Sequence, residues 1–179
     1  MSQPTTFVSF SSADMRSYTL MCAWKAHDDL DFNFADFQMD EAINSQNPRD
    51  IKSVCEAKIR RADTFILLIG DDTWKKTEDV QAEVEVAIEK GCRLIGVNLN
   101  NSRAKDRLCP YFFANKGALF IPFSSRILVK ALQWEPKTSD DWYFHDQVYV
   151  NLGYQLVGNT AVLPEPPIPF RLSKSTWAQ

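Results

Sequence analysis

Short apolar strands alternate with helix-patterned segments as far as about residue 134, and no other feature constrains the fold as much. Strands are expected at Phe7–Phe10, Phe32–Phe37, Thr64–Ile69, Arg93–Leu99 and Ala118–Phe123. Between them the spacing predicts helices at Asp14–Asp28, Pro48–Ala62, a segment containing Glu83 that ends at Gly91, and Ser125–Trp134. A helix between two strands returns the chain to the same end of the sheet, so the strands run parallel with helices on both faces.

Local chemistry supports these boundaries. Ser11-Ser-Ala-Asp14 is a capping-box variant, and Asn47-Pro48 offers a cap followed by a residue whose missing amide costs nothing at a helix start. Gly91 is suited to the left-handed turn that ends a helix. Beyond Trp134 the pattern breaks at Glu-Pro-Lys-Thr-Ser-Asp-Asp, and Pro164-Glu-Pro-Pro-Ile-Pro169 forbids regular ladders. We therefore expect one domain over residues 1–134 and an irregular extension over 135–179. The aromatic residues of that extension, Trp142-Tyr-Phe among them, suit packing on the domain or on a second subunit.

Composition narrows the function. A chain of 179 residues fits one ordinary domain, and a net charge of −3 does not suit a surface built to neutralise phosphates, so nucleic acid is not an expected partner. No basic segment followed by an apolar core opens the chain, and no apolar run approaches the roughly 18 residues of a membrane helix. A cytoplasmic protein with no membrane partner is expected. The four cysteines, at 22, 55, 92 and 109, form no Cys-x-x-Cys pair, so no metal is expected and they read as reduced, packed thiols. Neither His27 nor His145 has a neighbouring nucleophile signature.

In a parallel sheet, ligands bind beyond the carboxyl ends of the strands. Phe10 and Ser11 follow strand one, Asp36 follows strand two, and Trp74 follows strand three. The Ser11 hydroxyl and the helix start behind it suit an anion, and Phe10 and Trp74 offer flat faces to an aromatic base. No Gly-x-Gly-x-x-Gly or Gly-x-x-x-x-Gly-Lys is present. At about 100° per residue, Glu83 lies nearest the apolar stripe of Val80, Val84, Ala87 and Ile88, whereas Glu78, Glu85 and Glu89 turn towards water. The same spacing is met by a glutamate whose stem packs at the edge of a buried face and whose head stays solvated.

The ordered set Phe7-Val-Ser-Phe-Ser-Ser-Ala-Asp14, Phe65-Ile-Leu-Leu-Ile-Gly-Asp-Asp-Thr-Trp74 and Ala82-Glu-Val-Glu-Val-Ala-Ile-Glu-Lys-Gly-Cys-Arg-Leu-Ile-Gly-Val97 resembles TIR and TIR-like domains. It is most similar to the TIR-like sensor subunit of the Thoeris bacterial antiphage system, over about residues 5–134. The resemblance implies a flavodoxin-like α/β fold of about five parallel strands. In active members it also implies an NAD⁺ glycohydrolase or ADP-ribosyl cyclase, with NAD⁺ as substrate and no separate cofactor. The product would be a nucleotide messenger for a separate effector, and the trigger phage-derived or tied to self-association. The family's catalytic glutamate maps onto Glu83, and Phe10, Ser11, Asp36 and Trp74 match positions lining the nucleotide cleft. Many active relatives carry tryptophan four residues before the glutamate; Asp79 stands there in this chain.

Two other readings meet the same residues. A non-catalytic oligomerising module would use Met39–Asn47, a loop through which such domains pack. A phosphoacceptor receiver would use Asp71 or Asp72, but it would also want paired acids after strand one and a lysine ending strand five. Ser11-Ser12 and Ser124-Ser125-Arg126 stand there instead.

Overall fold

The computed structural model describes residues 5–27, 33–34, 48–136 and 139–163. Its main sheet contains β1 (Thr5–Ser9), β2 (Asn33–Phe34), β3 (Thr64–Ile69), β4 (Arg93–Asn98), β5 (Leu119–Pro122) and β6 (Trp142–Tyr143), ordered β2-β1-β3-β4-β5-β6 and parallel throughout. The helices are α1 (Met15–His27), α2 (Pro48–Ile59), α3 (Val80–Lys90), α4 (Ser125–Leu132) and α5 (Asp146–Asn151). The first five strands in the order 2-1-3-4-5 make the flavodoxin-like arrangement expected from the sequence. The two-residue β6 is an addition from the segment after Trp134.

Because side chains alternate along a strand, the central strands supply two separate cores. Phe7, Phe65, Leu67, Ile69, Leu94 and Phe120 face α2 and α3, where Ile59, Val80, Val84 and Ala87 meet them. Val8, Ile66, Leu68, Ile95, Val97 and Ile121 face the other way, against Tyr18 and Met21 of α1 and Ile127, Leu128 and Ala131 of α4. All six residues of β3 are buried. Gly96 on β4 leaves room for the Phe120 ring: a Cβ there would lie 2.9 Å from two of its carbons.

The helix ends follow the local chemistry. Ser11 accepts from the amide of Ala13 at 3.3 Å and caps a single 3₁₀ turn, Ser12–Asp14, that leads into α1. Gly91 adopts φ +78° and closes α3 as expected. The buried stripe of α3 is Val80, Val84 and Ala87; Ile88 sits at its rim, 37% exposed.

The residues after Trp134 are fastened to the domain at several points. Asp141 accepts from the amides of Asn115, Lys116, Gly117 and Ala118 at 2.8–3.2 Å and pairs with Lys105 at 2.7 Å. Asn115 and Gly117 hold left-handed backbone, with φ of +58° and +76°, which turns successive amides onto one carboxylate. Arg93 pairs with Glu135 at 3.5 Å and donates to the carbonyls of Leu132 and Trp134 just before it, each at 2.7 Å. Tyr149, Tyr154 and Ala161 join the α1–α4 core, and an antiparallel pair, β7 (Gln155–Val157) and β8 (Thr160–Val162), lies beside it.

Candidate functional site

From β1 the chain goes to β2 on one side and then to β3 on the other, so strand order reverses between β1 and β3. Crevices for ligands form at such a switch point, outside the carboxyl ends of the strands. Ser9 is the last residue of β1 and is fully buried. It shares a face with Phe7, the face that carries α2 and α3. Glu83 lies in the first turn of α3, the helix that follows β3. The Ser9 hydroxyl donates to Glu83 Oε2 at 2.6 Å, so one side chain from each side of the switch point meets the other.

The electrostatics of Glu83 are unusual for a surface helix. Burial pushes its carboxyl from the ordinary 4.5 up to about 7, against hydrogen bonds from Ser9 and from Cys55 of α2 that pull it down, with a further upward push from Asp79. Glu83 as a whole residue keeps partial exposure, so its carboxyl is shielded without being sealed. Among the described residues no lysine or arginine pairs with it. Neutral and ionised forms of the group are therefore both accessible near neutral pH. Of the two arrangements its spacing allows, the head is turned inward. Asp79 occupies the N-cap position of α3, where its side chain makes no cap bond.

The remaining expected site residues divide. Ser11 is buried, with its hydroxyl engaged in its cap. Phe10 stacks on Tyr18 with ring centroids 4.5 Å apart and packs with the α1–α4 core, on the sheet face opposite Glu83. Trp74 is 49% exposed; its Nε1 donates to the Asp71 carbonyl at 3.1 Å and Lys75 Nζ lies 5.2 Å from its ring. Asp36 and the Met39–Asn47 loop fall outside the described residues.

A second cluster lies at the end of β3. The Thr73 hydroxyl accepts from the Gly70 amide at 2.9 Å and reaches Asp14 Oδ2 at 3.5 Å. Burial, then Asp72 and Asp71, raise the Asp14 carboxyl against the bond from Thr73. Asp72 faces Lys76 at 3.8 Å, one turn on. Among the described residues no group of three or more His, Cys, Asp or Glu is placed to hold a metal ion. None of the four cysteines is in a disulfide. A cavity of about 330 Å³ lies elsewhere, between the end of β5, the start of α4 and β8, and none of the expected site residues lines it.

Ser9 and Cys55 were not among the expected site residues. A serine on the inward face of a buried strand end must find a partner, a signal that could have marked Ser9 without saying which group it meets. Nothing in the sequence distinguished Cys55 from an ordinary core thiol.

Residues 7–104, from β1 past the end of β4, match the family model described as Thoeris protein ThsB, TIR-like domain. The chain belongs to the ThsB TIR-like family. The matched span contains Ser9, Cys55 and Glu83, so the contact at the switch point lies inside the ThsB-like part, whereas β5, α4 and the extension lie beyond it. Among curated proteins none matches the chain. Among solved structures, the CMP N-glycosidase BcmB of Clostridium botulinum is similar, with 12% identity and a TM-score of 0.46, covering 72% of this chain and 97% of that one. In this ThsB-family chain no helix among the described residues is long and apolar enough to cross a membrane.

Proposed function

We propose that this protein is an NAD⁺-consuming enzyme that cleaves the bond between nicotinamide and ribose, as glycohydrolase or ADP-ribosyl cyclase, and supplies a nucleotide signal to a separate effector in antiphage defence. The observation that carries this reading is the Glu83 carboxyl: inward-turned, raised to about 7 by burial, unpaired with any described cation, and hydrogen-bonded across the switch point of a ThsB-family sheet. Structural carboxylates in folded proteins are normally stabilised in their charged form, and a group held near neutral pKa in a first helical turn facing a strand end fits a chemical task better.

The reaction needs little more. Nicotinamide leaves a pyridinium as a neutral molecule, so no strong general acid is required. Positive charge grows on the ribose as the bond breaks, and an ionised Glu83 beside the sugar stabilises it electrostatically, as carboxylates do in glycoside chemistry. Shielding from water strengthens that interaction. In the hydrolase, water captures the sugar; in the cyclase, an atom of the same dinucleotide does so, held close by the site. Trp74, half exposed after β3, offers a flat face to a base or to nicotinamide.

The test is nicotinamide release from NAD⁺ by the purified protein, alone and with lysate from phage-infected cells, followed by mass analysis of the products. Wild type is expected to release nicotinamide in at least one condition, and Glu83→Gln to lose at least about 100-fold of that rate while staying folded. Equal rates in the two proteins, or no release under either condition, would favour the oligomerising module.

A further inference from the structure

We propose that Ser9 is a positioning residue for Glu83, its hydroxyl fixing one carboxylate oxygen and favouring the ionised form needed to face a developing cation. This rests on reading Glu83 as the reacting carboxylate. The geometry is specific: Ser9 is fully buried at the end of β1, and its Oγ lies 2.6 Å from Glu83 Oε2 across 74 residues of sequence. A glutamate has three side-chain torsions, and the last is broad, so a carboxylate at the start of a helix sweeps a wide arc unless something holds one oxygen. A hydroxyl donor also binds a carboxylate more strongly than a carboxylic acid, so the same contact that orients Glu83 opposes the effect of burial on it.

The groups facing Glu83 come from three places: Ser9 from β1, Cys55 from α2, and Asp79 from the N-cap of α3. Ser9 and Cys55 both donate, but a thiol is a weak donor, so the hydroxyl is the main counterweight. Ser9 holds the carboxyl from the sheet side and acts on the ligand only through Glu83. Its loss therefore falls on kcat and on pH dependence, with KM unchanged.

The experiment titrates the Glu83 carboxyl by ¹³C NMR in ligand-free protein labelled at the glutamate carboxyls, with Glu83→Gln giving the assignment. Ser9→Ala is expected to move the midpoint upward, Ser9→Cys to move it less far in the same direction, and Ser9→Thr, which keeps a hydroxyl, to restore it. Should Ser9→Ala fail to fold, Ser9→Cys carries the measurement. In the NAD⁺ assay at pH 7, Ser9→Ala is expected to lose about 10- to 100-fold in kcat. Coincident midpoints for wild type and Ser9→Ala or Ser9→Cys would overturn the proposal. If wild type proves inactive on NAD⁺ and the midpoint still shifts, the enzymatic reading falls while the coupling of Ser9 to Glu83 stands.

Discussion

Ser9 and Glu83 are joined by a 2.6 Å hydrogen bond at the point where the chain of this ThsB-family protein changes direction across its sheet. One residue ends the first strand and the other begins the helix after the third, so the contact forms only when β1, β3 and α3 are all in place.

Once ionised, Glu83 works against the fold. Its carboxyl is raised above its unfolded value, so its favourable contribution is complete below about pH 4.5 and is lost as pH rises through about 7. Glu83→Gln, which keeps the shape and removes the charge, is expected to raise stability above pH 8 by about 1–3 kcal/mol and to leave it nearly unchanged at pH 5. Urea unfolding at the two pH values checks this; equal effects at both would mean the group is not raised.

The NAD⁺ reading also fixes a pH profile. If ionised Glu83 stabilises the growing charge on ribose, kcat/KM should rise with pH through a midpoint near 7, tenfold per unit on the acid side. Initial rates of nicotinamide release from pH 5.5 to 9 measure it, and a profile falling across that interval would assign Glu83 an acid role instead.

Asp141 has the opposite sign. Burial pushes its carboxyl up, but the bond from Lys105, the amides of Asn115 and Ala118 and the Lys105 charge outweigh burial and leave it below its ordinary 3.8. Its contribution is present above the unfolded value and disappears as pH falls through the lowered folded one. Asp141→Ala is expected to cost about 2–3 kcal/mol at pH 7. Chemical unfolding of the two proteins should show the gap narrowing towards pH 3.

Gly96 tests the packing between strands and α3. A methyl there meets Phe120 at 2.9 Å and Ile69 at 3.1 Å, both within the core. Gly96→Ala is expected to destabilise by about 1–3 kcal/mol, and Gly96→Ala with Phe120→Leu by less than the sum of the separate effects. Additive thermal shifts would count against this contact.

Much of this was legible in the sequence because it is periodic. The apolar runs at Thr64–Ile69 and Arg93–Leu99 and the turn at Gly91 marked two central strands and the end of α3, and the 100° stripe singled out Glu83 among four glutamates. The partners of Glu83 were not legible. Which strand end faces which helix turn depends on sheet order and register, and neither Ser9 nor Cys55 carries a local pattern for that. Phe10 shows the same limit: it follows β1 directly, yet alternation places it on the face away from Glu83. Ile88 was assigned to the stripe by hydropathy and lies at its rim because α3 meets the sheet along Val80, Val84 and Ala87. Strand β6 is two residues long beside a proline-bearing segment, too short for periodicity to register.

The stitching of Asp141, Tyr149 and Tyr154 onto the sheet bears on how this protein can be cut for the laboratory. A fragment trimmed at residue 134 would bare the apolar side of α4 and leave the Asn115–Ala118 amides without their acceptor, inviting aggregation. A usable fragment of this protein therefore keeps the chain through Ala161, the last residue that joins the core among those described.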